Sequence, residues 1–141
     1  MNEEAAGGLS YEILGTLHLV ESRLEAVLEP LGLSLAKFGA LSKLAAAGEP
    51  LPLGTLAERC SCVRSNITQL VDRLEAEKLV ARADDPHDRR SVRALLTEEG
   101  RGRLAAGVRA IRAAEREMYA HLPAKQRDDL VTLLRVLRAG R

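Results

Sequence analysis

One short stretch interrupts a chain whose apolar residues otherwise recur at helical spacing. Residues 79–83 and 91–96 are brief runs rich in Val, Leu and Ala, and between them lies Asp84-Asp85-Pro86-His87-Asp88-Arg89-Arg90. Turn-forming residues between two apolar runs predict a β-hairpin, the one convincing β element in the sequence. Everything around it steps by three and four, the spacing of a helix with one buried face. Residues 9–31 carry Ile13, Leu14, Leu17, Val20, Leu24, Val27, Leu28 and Leu31, and Pro30 and Gly32 stop the run. A second helix reads from Ser34 as its N-cap through Leu35, Phe38, Leu41, Leu44 and Ala45 to Gly48. Residues 49–53, with Pro50 and Pro52, form a connector or a very short strand. Residues 54–60 read as one short helix and 61–63 as a turn.

The next helix, residues 64–78, buries Val63, Ile67, Leu70, Val71 and Leu74 and turns Arg64, Ser65, Asn66, Thr68, Gln69, Asp72 and Arg73 outward. After the hairpin, Thr97 caps a long helix whose first turn holds Glu98 and Glu99, which suit the positive end of the helix dipole. Pro123 breaks that helix, and a last one runs to about Arg138 with Leu130, Leu133, Leu134 and Leu137. A short helix, a tight turn and an amphipathic helix make a helix-turn-helix, and the hairpin that follows makes it winged. The expected fold is therefore mainly α: a winged helix-turn-helix with a short β-hairpin wing and flanking helices.

With 141 residues the chain fits one domain, and no internal repeat divides it. Aromatic residues are only 2%, with no Trp, so the core must be built from Leu, Ala and Val. No apolar run approaches the roughly 20 residues that span a bilayer. The N-terminal MNEEAAGG is acidic and is followed by no apolar signal segment. The expectation is a cytoplasmic protein without a membrane partner.

The net charge of +1 gives no hint of a nucleic-acid partner by itself. Its distribution is more informative. Residues 1–33 hold six acids against Arg23 alone, residues 52–97 have eight bases and seven acids, and residues 98–141 have ten bases and six acids. Near-neutrality arises by cancellation between segments.

The outer face of the 64–78 helix has the chemistry of a major-groove reader. Asn66 and Gln69 each donate and accept, matching adenine N6 and N7, and Arg64 suits guanine O6 and N7. Ser65 and Thr68 are short enough for phosphates. A solvated helix face is the plain alternative, and the helix alone does not decide between them. The hairpin favours DNA, because an arginine near its tip can enter a minor groove and read its negative potential.

The run Leu56-Ala57-Glu58-Arg59, then Arg64-Ser65-Asn66-Ile67-Thr68 and Leu70-Val71-Asp72-Arg73-Leu74-Glu75, resembles the MarR family of winged-helix transcriptional regulators. The most specific element is Asp88-Arg89-Arg90-Ser91 with Leu96-Thr97, which matches the family's wing signature D-x-R-[ST]. The resemblance covers essentially the whole chain. It implies a homodimer in which residues 9–31 and 98–138 of two chains interleave and residues 34–97 form the DNA-binding lobe. It implies a recognition helix over about 64–78 and a wing over about 80–96. Arg64, Ser65, Asn66, Thr68, Gln69, Arg73, Arg89 and Arg90 would meet double-stranded DNA at an inverted repeat. Asp72 would steer Arg90, and Asp88 would position the wing. It further implies an effector pocket between the dimer helices and the lobe, with Tyr11, His18 and Met118 as candidate walls for a small molecule.

Cys60 and Cys62 read as packing residues. Two cysteines so close in a turn make a strained disulfide, and no further Cys or nearby His completes a zinc set, so no metal or cofactor is expected. Two rival classes remain. A helical dimerisation or adaptor protein that does not bind DNA fits the leucine-rich terminal helices but leaves an arginine-tipped hairpin without a purpose. A small helical enzyme finds no carboxylate pair, no nucleophile–His arrangement and no glycine-rich phosphate loop.

Overall fold

The computed structural model describes residues 7–60 and 64–140. Along the chain, α1 (Leu9–Leu28) and a 3₁₀ turn (Glu29–Leu31) are followed by α2 (Leu35–Ala47), β1 (Leu51–Pro52) and α3 (Leu53–Arg59). Then come α4 (Arg64–Ala76), β2 (Val80–Asp85), β3 (Asp88–Leu96), α5 (Glu98–Met118) and α6 (Ala124–Ala139). The helices and the hairpin follow the order expected of a mainly α winged helix-turn-helix, with the end of the first helix tightened into a 3₁₀ turn and the 49–53 connector forming a two-residue strand. The turn read at residues 61–63, and with it Cys62, lies outside the described residues.

The sheet is larger than the sequence pattern indicated. Its strands run antiparallel in the order β1-β3-β2, with Leu51 opposite Ala94 and Val80 opposite Leu96. Residues 84–90, read as the loop, mostly belong to the strands, and only Pro86 and His87 separate them. The reason is local. Asp85 Oδ1 accepts the His87 N–H at 2.9 Å and Asp88 Oδ1 accepts the Arg90 N–H at 2.9 Å, so two aspartates tighten the turn. A register shift between Asp84 and Asp85 absorbs the remaining mismatch.

The buried apolar residues run from Leu28 to Leu96, so the core belongs to the winged lobe and the end of α1. Leu41, Leu56, Ile67, Val71, Leu74 and Leu79 are fully buried in it. Cys60 packs against the edge of this core, the position its side chain was assigned from sequence. The chain enters the lobe through a braced loop. Pro30 sits in the 3₁₀ turn, and Gly32 takes the left-handed conformation at φ 71° that ends it. Ser34 Oγ accepts the Lys37 N–H, and Glu25 of α1 reaches the Leu35 N–H at 2.9 Å, so two first-turn amides of α2 find acceptors. Arg103 of α5 donates to the Leu31 carbonyl at 2.7 Å from the other side.

The lobe is joined to α5 through a close approach. Thr97 Oγ1 accepts the Gly100 N–H at 2.9 Å, as the capping pattern predicted, and donates to the Lys78 carbonyl at 2.7 Å. Its own N–H donates to the Leu79 carbonyl. A Cβ at Gly100 would stand 2.1 Å from that same Leu79 oxygen and 2.8 Å from Leu96 Cδ1, so no larger residue fits. Among the described residues no helix is long and apolar enough to cross a membrane, and no group of His, Cys, Asp or Glu forms a metal site.

Two glycines of α5 therefore respond oppositely to one substitution. Gly102 has nothing within 4 Å of a Cβ, so Gly102→Ala stabilises by up to about 1 kcal/mol through helix propensity. Gly100→Ala destabilises by about 3 kcal/mol or more, because backbone must move. Urea denaturation of the two variants checks the pair, and equal effects would contradict the packing described.

Candidate nucleic-acid interface

The recognition element is built by burial. Ile67, Leu70, Val71 and Leu74 of α4 lie in the core at steps of three, one and three, which leaves the other side of the helix to solvent. Asn66, Thr68, Gln69, Asp72 and Arg73 are exposed there, and Arg64 and Ser65 stand in the first turn. At helical spacing Asn66, Gln69 and Arg73 share one stripe, and Thr68, Asp72 and Glu75 share the next. The first turn contains no acid.

The acids of the second stripe are drawn to the wing. Arg82 of β2 donates Nη2 to Asp72 Oδ1 and Nη1 to Glu75 Oε1, the latter at 2.8 Å. A guanidinium suits this role because its planar fork reaches two carboxylates one helical turn apart. The hydrogen bond that Arg82 donates to Asp72, followed by the one it donates to Glu75, raises the Arg82 pKa above its already high ordinary value. Lys37 pairs with Glu77 just beyond α4 at 2.8 Å, joining α2 to the same end of the helix.

This corrects the expectation that Asp72 steers Arg90. Asp72 holds Arg82, which leaves β2 beside α4, whereas Arg90 lies toward the hairpin tip. Arg82 is opposite Ala94 in register, and Arg90 is four residues from Ala94, about 13 Å along the strand. Arg90 is instead placed by its own backbone, through the Asp88 carboxylate. Arg89, Arg90 and Arg73 are exposed and in no ion pair among the described residues.

Behind the tip, Arg93 Nη2 meets Asp85 Oδ1 at 3.1 Å with both side chains mostly covered. The His87 N–H, and then Arg93, hold the Asp85 carboxyl below the usual carboxylate range. With its folded pKa depressed, Asp85 supports the turn above the ordinary carboxylate pKa, and that support fades as the pH falls through the lowered value. Arg82 is the residue that sequence reasoning missed. The signal for Arg82 was a lone base in an apolar strand, within reach of a helix that carries two acids one turn apart.

The candidate pocket residues lie at or near the surface of the terminal helices. Tyr11 and His18 are exposed on α1 and Met118 is half-buried at the end of α5. None of them lines the cavity of about 420 Å³ between α2, β3 and α5, whose walls include Leu44, Pro50, Leu95 and Leu104.

The geometry has close counterparts. A sequence model of the MarR family matches residues 31–91. The uncharacterized HTH-type transcriptional regulator YkoM of Bacillus subtilis (strain 168) is 32% identical over 106 residues, which cover 74% of this chain and 67% of that protein. The transcriptional repressor CouR, solved bound to a 23-mer DNA duplex, superposes with a TM-score of 0.89 at 27% identity, over 98% of this chain and 96% of that one. CouR from Rhodococcus jostii RHA1 bound to p-coumaroyl-CoA shares the fold, with a TM-score of 0.80 at 24% identity over 94% and 92% of the two chains.

Removing the fork should free the wing without unfolding the lobe. Asp72 is well exposed, so Arg82→Gln lowers global stability by no more than about 1 kcal/mol. Amide hydrogen exchange in β2 and β3 rises in the variant. Unchanged exchange would mean that Arg82 does not hold the hairpin to α4.

Proposed function

The chain belongs to the MarR family of winged-helix transcriptional regulators, and from that premise we propose that it acts as a homodimer on an inverted-repeat operator. The observation that carries this reading is the division of charge on α4 and the wing. Arg82 gathers Asp72 and Glu75, while Asn66, Gln69, Arg73, Arg89 and Arg90 stay exposed. In this reading α4 lies in the major groove, with Arg64, Asn66 and Gln69 facing base edges and Ser65 and Thr68 facing phosphates. Arg73 adds phosphate contact, and Arg89 and Arg90 meet the flanking minor groove. The resemblance to CouR, which is solved on DNA, supports it.

The dimer reading rests on a second observation. Among the described residues, the exposed large hydrophobic side chains lie on two helices: Leu9, Tyr11, Leu14, Leu17 and Leu19 on α1, and six residues from Leu130 to Leu137 on α6. An amphipathic helix such as α6, with no buried residue of its own, has its apolar face left for a partner. Residues 9–31 and 98–138 then serve dimerisation and residues 34–97 bind DNA. Two lobes related by a two-fold axis fit half-sites about one helical turn (~10 bp) apart. A small-molecule effector, as CouR binds p-coumaroyl-CoA, acts by preferring one spacing of the lobes. Tyr11, His18 and Met118 take part only where a second protomer closes over them.

Arg90→Ala should weaken operator binding by about tenfold and flatten its salt dependence, with the fold intact. Gln69→Ala should shift which sequences are recovered from random DNA. Fluorescence anisotropy reads the first and sequence selection the second. Unchanged affinity in Arg90→Ala removes the wing tip from the interface, and an unchanged preference in Gln69→Ala removes Gln69 from base readout.

A further inference from the structure

The lobe is seated on α5 at two places, and at both the helix offers bare backbone. Gly100 and Gly107 are buried. With Leu104 and Ile111, which pack partly against the core, they follow at steps of four, three and four and form one stripe toward the lobe. At Gly100 the neighbour is the Leu79 carbonyl, between α4 and β2. At Gly107 the neighbour is a different element. A Cβ there would stand 2.9 and 3.0 Å from Cδ2 and Cε2 of Phe38 on α2, and 3.2 Å from Leu33 Cδ1. The one Phe of the chain thus rests a ring edge on the backbone of α5. Glycine inside a helix is unfavourable relative to alanine, and the close contacts account for these two. Gly102 on the same helix meets nothing among the described residues within 4 Å of a Cβ, so close approach is special to the glycines of the stripe.

We propose that Phe38 and Gly107 are positioning residues for DNA binding: they set the tilt of the lobe on α5, and with it the half-site separation that the dimer accepts. The inference rests on the homodimer reading above and adds what fixes the distance between its two recognition helices. Gly100 is a pivot that does not give, because its neighbour is backbone. Gly107 lies seven residues on, about 10 Å along the helix, and its neighbour is the edge of a side chain. The depth at which the ring sits there decides the angle. Lifting the ring by about 0.8 Å, from 2.9 Å to an ordinary carbon contact with a Cβ, is a tilt of about 4° over that arm. The first turn of α4 lies about 18 Å from its Ala76 end. Each recognition helix then moves by about 1.4 Å and the two together by about 3 Å, close to the rise of one base pair, roughly 3.4 Å. A ring that merely filled the core would leave the half-site separation unchanged when altered.

Selection from a pool of random DNA duplexes reads that separation, run in parallel on full-length chains. Wild type recovers an inverted repeat with one dominant separation, and Gly102→Ala recovers the same. Gly107→Ala recovers half-sites of unchanged base sequence at a separation moved or spread by about one base pair. In fluorescence anisotropy it binds the wild-type repeat about tenfold more weakly. Gly107→Ala combined with Phe38→Leu, whose smaller side chain makes room for the Cβ, returns both separation and affinity towards wild type. A folded Gly107→Ala variant that keeps the wild-type separation overturns the proposal, and so does a double variant no closer to wild type than the single one. If circular dichroism shows Gly107→Ala unfolded, Phe38→Leu alone decides. The gap it leaves spreads the separation, and a separation as sharp as that of wild type overturns the proposal. A wild-type chain that recovers no inverted repeat overturns the homodimer reading as well, so the two failures are distinguishable.

Discussion

The contact on which the rest depends is the close approach of Gly100 to the Leu79 carbonyl. Four elements meet there. Lys78, with φ 63°, turns the chain out of α4 in the left-handed conformation, and Leu79 leads into β2. Thr97 leaves β3, donates to the Lys78 and Leu79 carbonyls and caps the first turn of α5. Because a Cβ at Gly100 would overlap the Leu79 oxygen, α5 leaves the lobe along a path that the backbone itself dictates. The recognition helix, the wing and the long helix are therefore fixed relative to one another at one point. Any motion of α5 is delivered directly to the end of α4. This is the mechanical link that an effector-controlled regulator requires, since such control acts through two discrete placements of the DNA-binding lobes.

The lobe also resolves the difficulty of binding an anion with a nearly neutral surface. Residues 52–97 hold eight bases and seven acids, so total charge cannot attract DNA. Position can. Asp72 and Glu75 are held by Arg82, Glu77 by Lys37 and Asp85 by Arg93. Among the described residues, Arg73, Arg89 and Arg90 remain exposed and in no ion pair, against Asp84 and Asp88 as the acids of the wing left outside one. Selective pairing, rather than excess charge, makes the surface basic where it meets a partner. Such a surface has modest affinity for DNA in general and depends on a few arginines.

The core and the exposed leucines divide the molecule in the same place. The buried apolar side chains of the core stop at Leu28 on one side and Leu96 on the other, with Leu104 and Ile111 of α5 packed only partly against them. Beyond those points α1 and α6 present apolar faces to solvent. The lobe's core is thus built largely from its own residues, while within one chain the leucines of α1 and α6 stay in water. The braced loop at Glu29–Leu31, held by Glu25 and Arg103, is the joint between the two parts.

Periodicity was enough to read the elements in their order, the caps at Ser34 and Thr97, and the buried side of α4. Each depends on residues within a turn or two of one another, and the spacing of Ile67, Leu70, Val71 and Leu74 decides its own burial. The candidate groove face was legible for the same reason, because whatever lies opposite a buried stripe is exposed. The short strand was left open against a plain connector, and its pairing was not legible: Leu51 and Pro52 pair with residues more than forty positions away, and two residues carry no alternation. Nor was the partner of Asp72. A wing signature points to an arginine at the tip, yet the nearest guanidinium belongs to Arg82, and only the twist and register of the hairpin decide which arginine reaches α4. Local side-chain pattern therefore determined the elements and their faces. Tertiary structure alone decided which charges cancel and which remain, because ion pairs form between residues that are neighbours in space and have no spacing rule in sequence.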